Sequence, residues 1–267
     1  MEKIYKYPRT PHLEGSRYQL GDEDLECIPF DEIANINIVV EEKVDGANSA
    51  ISFNEKGQVF LQSRGHYLLG GNSERHFNLL KQWANCHTSV LWNLLGTRYI
   101  LYGEWLYAKH TMFYNLLPHY FLEFDILDKE QMQFLSTDIR QIMLKDLPIV
   151  SAPILFRGKL KNLKQLHKML GKSNFIAPNH LEVLKKICEE KSLSIERAIK
   201  ETDHNTDMEG LYIKVEEQGL VKARYKYVRA SFLSAVENSE SHWQSRPIIP
   251  NLLKEGVDLF SSGNPLC

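Results

Sequence analysis

Six consecutive residues, Lys43-Val44-Asp45-Gly46-Ala47-Asn48, carry the densest chemistry in the sequence. A lysine at a strand end, followed by a glycine turn, presents its amine at the mouth of a sheet. Free lysine titrates near pH 10.4, so only about one amine in a few thousand is neutral at pH 7. A nucleophilic lysine therefore needs a lowered pKa, from burial or from neighbouring cations. Asp45 and Asn48 are then placed to hold the turn and a bound substrate. Alone, so short a run also reads as an ordinary surface turn.

Further reactive clusters follow in order: Ser63-Arg64-Gly65, Leu101-Tyr102-Gly103-Glu104-Trp105 and Phe121-Leu122-Glu123-Phe124-Asp125-Ile126. After a long gap come Glu209-Gly210-Leu211-Tyr212-Ile213-Lys214 and Val221-Lys222-Ala223-Arg224-Tyr225-Lys226. Glu104 closes an apolar run, Tyr99-Ile100-Leu101-Tyr102, where a carboxylate is costly to bury without a partner. Strand alternation puts Lys222, Arg224 and Lys226 on one face, so that all three can reach the same ligand.

In order and spacing these clusters resemble the collinear motifs of the covalent nucleotidyltransferases, the superfamily of polynucleotide ligases and mRNA capping enzymes. The resemblance covers about residues 36 to 230. Asn48 closes a K-x-D-G-x-N pattern similar to that of RNA ligases of the bacteriophage nick-sealing type. DNA ligases and capping enzymes usually carry arginine at that place. The stretches Gly103-Glu104-Trp105-Leu106-Tyr107-Ala108-Lys109-His110 and Ser241-His242-Trp243-Gln244-Ser245-Arg246-Pro247 also resemble the RNA-ligase branch.

The resemblance implies an ATP-dependent RNA ligase that joins a 5′-phosphate to a 3′-hydroxyl in three displacements at phosphorus. Lys43 would take AMP from ATP as a lysyl-AMP, the AMP would pass to the RNA 5′-phosphate, and the 3′-hydroxyl would displace it. Lys222 is the first choice for the α-phosphate contact, with Arg224 and Lys226 beside it. The family pattern there is often K-x-K, and the departure leaves open which pair matches. By the same resemblance Arg64 reaches the ribose and phosphate, Glu104 accepts from the ribose hydroxyl, and Phe124 stacks on adenine. Glu209 would order Mg²⁺ or Mn²⁺, mainly through water. Glu42 is assigned to the purine edge and Lys214 to the phosphates. The implied partners are ATP and RNA ends, with room for an end-healing kinase-phosphatase and none for a membrane. The alternatives are a DNA ligase or capping-type nucleotidyltransferase, and a non-catalytic nucleotide-binding module.

The elements that must position these residues read as follows. Strands are expected over Ile36 to Lys43, Ser49 to Phe53, Val59 to Ser63, Tyr99 to Glu104 and Tyr120 to Leu127. Ser73 is placed to cap a helix running to Leu95, stopped by Gly96. A mostly helical insert follows over about Asn162 to Thr202, and then a hairpin of Gly210–Val215 and Leu220–Tyr227. From Ser231 the chain reads as helix until Pro247 and Pro250 break it. The pattern is an α+β fold with an antiparallel sheet core. With the resemblance it becomes a nucleotidyltransferase (ATP-grasp-like) ligase domain, residues 1–235, and a short helical or extended tail, 236–267. About forty residues follow Lys226, too few for the OB-fold that DNA ligases and capping enzymes add there.

Two segments are candidates for RNA contact. Residues 157–172 hold Arg157, Lys159, Lys161, Lys164, Lys168 and Lys172 without an acid, over a helical stripe of Leu160, Leu163, Leu166 and Leu170. Trp105, Tyr107, Lys109, His110, Phe113 and Tyr114 form an aromatic and basic run able to stack on an RNA end, or equally to pack on the sheet.

The composition sets the outer bounds. At 267 residues, 43% hydrophobic and 25% charged, the chain is long enough to bury a core without disulfides. No run approaches the ~20 apolar residues of a membrane span, and no apolar segment follows Met1 as in a secretory leader. Four dispersed cysteines, Cys27, Cys86, Cys188 and Cys267, fit reduced thiols in the cytoplasm and lack the spacing of a zinc site. A net charge of −2 excludes a globally basic nucleic-acid coat, so any polyanion contact must be local.

Overall fold

The computed structural model describes residues 3–18, 22, 24–237 and 246–263. Among them the strands are, in chain order, β1 (His12–Leu13), β2 (Cys27–Ile28), β3 (Asn37–Lys43), β4 (Ala47–Phe53), β5 (Val59–Ser63) and β6 (Tyr99–Trp105). They continue as β7 (Phe121–Asp128), β8 (Gln133–Phe134), β9 (Val150–Ser151), β10 (Ile154–Lys159), β11 (Gly210–Glu217) and β12 (Leu220–Val228). The α-helices are α1 (Asn78–Cys86), α2 (Thr88–Leu95), α3 (Thr137–Leu144), α4 (Leu163–His167), α5 (His180–Glu190), α6 (Ile195–Lys200) and α7 (Ala230–Glu237).

Two sheets result, ordered β10-β3-β11-β12-β1-β2 and β5-β4-β6-β7-β8, with β9 alongside β7. The long pairings are antiparallel. Only the short pairings β1–β12, β1–β2 and β7–β9 are parallel. The mixed α/β expectation with antiparallel sheets holds. The β11–β12 hairpin turns on Gln218 and Gly219, with φ of 51° and 80°, the conformation a two-residue turn needs to follow the twist of its strands.

Apolar faces decide where the sheets pack. Ile51, Phe53, Leu101 and Phe121 of the second sheet bury against Leu80, Trp83, Leu91 and Leu95 of α1 and α2. Ile38, Val40, Leu211 and Ile213 of the first sheet bury against Leu160 and Leu166. Large buried side chains of this kind are each stabilised by roughly 1.5–3 kcal/mol relative to exposure.

Two expectations change. The single helix from Ser73 to Leu95 is a 3₁₀ turn, Asn72–Phe77, followed by α1 and α2. The break falls at His87 and Thr88, whose side chains take up the backbone carbonyls of Trp83, Ala84 and Asn85. Residues 157–172 are not one basic helix. Arg157 and Lys159 belong to β10, where pairing to β3 satisfies their backbone, and α4 covers only Leu163–His167. The leucine stripe is core, with Leu160 and Leu166 buried. The helix beginning near Ser231 is present as α7, and its expected continuation over 238–245 lies outside the described residues, as do Ser241 to Ser245 of the quoted stretch. No helix among the described residues is long and apolar enough to cross a membrane.

Candidate active site

Lys43 is the last residue of β3, and Ala47 is the first of β4, so the lysine run crosses from one sheet to the other. The crossing is tight: a Cβ on Gly46 would lie 2.6 Å from Leu106 Cδ2 and 2.7 Å from the Trp105 carbonyl oxygen. Only glycine passes that gap. Asp45 secures the crossing from below. Its Oδ2 accepts the backbone N–H groups of Thr111 and Met112, each at 2.7 Å, and its own N–H donates to the Tyr114 hydroxyl.

Sheet register brings the other groups to the amine. Gly210 lies opposite Lys43, so the preceding Glu209 places its carboxylate 2.7 Å from Lys43 Nζ. Asn48 lies opposite Glu104 on β6, and both face a cavity of about 280 Å³ between the sheets. The first sheet lines it with Glu41, Glu42, Lys43, Tyr212 and Lys226, and the second with Asn48, Arg64, Glu104 and Phe124. The N-terminal segment closes it with Tyr7, Arg9, Thr10 and Asp22. That volume is near the ~300 Å³ lower end for small-molecule sites.

The cavity is rich in acid. Burial pushes Glu42, Glu104 and Glu209 each up to about pKa 7. Glu42 accepts from Ser173 Oγ at 2.5 Å, and its Oε2 has no hydrogen-bond partner. Burial pulls Lys43 down, but Glu209, Glu104 and Asp45 outweigh it and raise its pKa above the ordinary value. The expectation of a lysine pre-activated by a depressed pKa is therefore reversed: the surrounding acids keep the ammonium charged. Such hard oxygen donors suit Mg²⁺ or Mn²⁺. No grouping of three or more His, Cys, Asp or Glu side chains at ligand spacing occurs among the described residues.

The structure brings together Lys43, Glu42, Asn48, Arg64, Glu104, Phe124 and Lys226 around the cavity, with Glu209 on the amine. It does not bring Lys222 there. Val215 pairs with Ala223 and Glu216 with Val221, so Lys222 is the extra residue of a β-bulge, exposed and out of the alternation assumed for it. Arg224 is one side-chain row beyond the cavity, its guanidinium 3.8 Å from the Phe134 ring centroid and 5.3 Å from that of Tyr7. Lys226 is the strand's cavity cation. Lys214, assigned to phosphates, is buried behind the wall on Glu41 and Asp125. Asp45 holds the crossing and the loop after His110 rather than lining the cavity.

The aromatic run is also interior, with Trp105, Phe113 and Tyr114 fully buried and Lys109 and His110 nearly so. Sequence reasoning missed Tyr7, Arg9, Thr10, Asp22, Glu41 and Tyr212. Glu41 carried a signal, a second acid inside an apolar strand, and Tyr212 shares its strand face. The N-terminal residues carried none, because neither helical nor strand periodicity marks their segment.

The RNA ligase family model matches residues 36–228, and the chain belongs to that family. Solved structures of an RNA ligase from Naegleria gruberi share its fold. A lysine-to-alanine variant of that enzyme with ATP and Mn is 17% identical, with a TM-score of 0.52, covering 78% of this chain and 54% of that one. A glutamate-to-alanine variant with ATP and Mn is also 17% identical at TM-score 0.52, over 86% of this chain and 58% of that one. Another glutamate variant, with AMP and Mn, is 18% identical at TM-score 0.53, over 78% and 54%. The chain thus spans just over half the length of these structures. No curated protein sequence matches it.

Proposed function

We propose that this chain is an ATP-dependent RNA ligase that seals a 5′-phosphate to a 3′-hydroxyl through lysyl-AMP and RNA-adenylate intermediates. The observation that carries the reading is Lys43 at the sheet crossing, in contact with Glu209 and open to a cavity that also holds Glu104 and Lys226. Lys43 Nζ forms the bond to the α-phosphorus, and the amine loses its protons to water or to a neighbouring carboxylate. Lys226 and Arg64 offset charge that develops on the α-phosphate oxygens. Glu104 accepts from the ribose and Phe124 offers a ring face to adenine, a contact indifferent to base edges. Glu42 addresses the purine edge, and Asn48 fixes the nucleotide over the turn. Glu209 would hold a Mg²⁺ or Mn²⁺ ion, whose positive charge would offset the acids restraining the ammonium. Residues 1–235 form the nucleotidyltransferase unit in this reading, and the product of an end-healing enzyme is a suitable RNA substrate.

The test is covalent labelling. Incubated with Mg²⁺ and α-labelled ATP or GTP, the protein should acquire label from ATP alone, in an acid-labile, base-stable bond to Lys43. A subsequent chase with 5′-phosphorylated RNA should move the label to the RNA and then release AMP on sealing. Label from GTP alone would replace the ligase with a capping-type enzyme, and no label from either would sink the covalent reading.

A further inference from the structure

We infer that Arg9, outside every nucleotidyltransferase-like motif, is the cation that receives the pyrophosphate end of ATP. The inference rests on the adenylylation reading above and extends it to the leaving group. Arg9 lines the nucleotide cavity with its side chain 41% exposed, so it can move without unpacking a core. Its guanidinium donates to Asp22 Oδ1 at 3.3 Å and to Asp24 Oδ2 at 2.6 Å. On its other oxygen Asp22 accepts from Lys226 and from His12, 3.2 Å away. Burial would raise the Asp22 pKa, but these donors outweigh it and hold the carboxylate below its ordinary value. An ionised carboxylate therefore sits between Arg9 and Lys226 inside the cavity.

Two cations converging on one anionic group describe a phosphate subsite filled by the protein's own side chain. Strand pairing fixes the arrangement, since His12 of β1 lies opposite Lys226 of β12. The order along the wall is then Glu209, Lys43, Lys226, Asp22, Arg9. Lys226 adjoins the reacting amine and serves the α-phosphate. Arg9 is one carboxylate further on, across Asp22 from Lys226, and is placed for the next phosphate. A planar guanidinium with two donors already engaged by carboxylate oxygens matches a phosphate equally well.

The chemistry requires such a group. As the Lys43 lone pair forms the P–N bond, the bridging Pα–O bond breaks and its electrons leave on pyrophosphate. Arg9 meets that charge, and Asp22 gives up its partners to the incoming phosphates. Transfer of AMP to RNA and sealing release no pyrophosphate. In the transfer the RNA 5′-phosphate enters opposite Lys43, where pyrophosphate left, so Arg9 faces a phosphate there too. In sealing AMP is the leaving group, and Arg9 meets no departing pyrophosphate.

The experiment uses the full chain and separates the steps. In Arg9→Ala, lysyl-AMP formation from ATP should fall by ~10²-fold, the usual loss for removing one fixed stabiliser of developing charge. Return of the label from the enzyme to ATP on adding pyrophosphate should fall in the same proportion, by microscopic reversibility. Sealing of a pre-adenylylated RNA should fall far less, and Arg9→Lys should recover part of the adenylylation. Adenylylation at the wild-type rate, or equal losses in adenylylation and sealing, would overturn the assignment. If wild-type protein forms no lysyl-AMP, the failure lies with the ligase reading itself and not with Arg9.

Discussion

Two lysines on one face of the first sheet make opposite use of the same surroundings. Lys43 and Lys214 lie on neighbouring strands, each among buried carboxylates. Lys43 meets Glu209 at 2.7 Å, is 25% exposed and opens onto the cavity. Lys214 has no exposure. It is closed in by Glu41 at 2.8 Å, Asp125 at 3.2 Å and the Phe124 carbonyl. Arg140 of α3 completes that cluster, bonding Glu41 at 2.7 Å and Glu123 at 2.5 Å. Glu41 belongs to the first sheet and Glu123 and Asp125 to the second, so the buried cluster ties the two sheets behind the cavity wall. Counting Arg224, whose charge also acts on Asp125, three cations face three carboxylates there, whereas Lys43 alone faces Glu209, Glu104 and Asp45. Balance makes a strut; a deficit leaves room for a substrate that brings its own cation.

The sharpest way to break this comparison is to replace each lysine by a neutral chain of like length. Lys43→Met should form no detectable lysyl-AMP while keeping most of its stability, because Glu209, with a pKa of about 7, can take up a proton once its partner is gone. Lys214→Met should lose ~3–5 kcal/mol in urea unfolding, the cost of leaving one side of a buried ion pair uncompensated. Any folded fraction of it should still adenylylate. If Lys214→Met unfolds like the wild type, or Lys43→Met retains its adduct, the division between strut and nucleophile is wrong.

A smaller effect sharpens the same boundary along β12. Lys226→Ala should slow adenylylation by ~10²-fold, since it removes a fixed cation from the α-phosphate side of the cavity. Lys222→Ala should stay within about twofold, the ordinary range for an exposed side chain away from such features. Single-turnover labelling of both variants decides it. A large loss in Lys222→Ala would mean that the bulge rearranges when nucleotide binds.

How much of this was legible beforehand follows from which forces act locally. The strand ending at Lys43 and the hairpin of β11 and β12 were readable, because alternation and turn residues are written within a few positions of each other. Glu104 was readable as an acid in an apolar strand. Lys222 and Lys214 were misplaced for different reasons. A one-residue bulge shifts every side chain beyond it, and no residue type announces it. Lys214 carries the same charge as Lys226, and only the register of Glu41 and Asp125 shows that it faces a closed pocket. Residues 157–172 show a period that the chain uses for packing, where β10 takes 157–159 as the end of an edge strand. The N-terminal contribution was invisible because Tyr7, Arg9 and Asp22 reach the cavity only through pairing across more than two hundred positions of sequence.

The smallest expected effect comes from Glu42, and it tests whether the cavity's charge deficit is real. Burial raises the Glu42 carboxyl from an ordinary 4.5 to about 7, against a single opposing hydrogen bond from Ser173. Between those two pH values the folded chain holds a proton that the unfolded chain has released. The unfolded state then binds fewer protons, so stability falls as pH rises through this window and the penalty is complete above about 7. Glu42→Gln cannot titrate and keeps the Ser173 contact through its amide oxygen. Wild-type stability relative to Glu42→Gln should therefore decline from about pH 5 to about pH 7.5, by something on the order of 1–3 kcal/mol. Paired urea titrations across that range measure the drift directly. Asp125 on the balanced side sits below its ordinary value, since Lys214, Arg224 and Arg140 outweigh its burial, so it adds no titration to this window. A flat difference between the two proteins would mean that Glu42 ionises like a solvated acid, and that the cavity is wetter than its contacts imply.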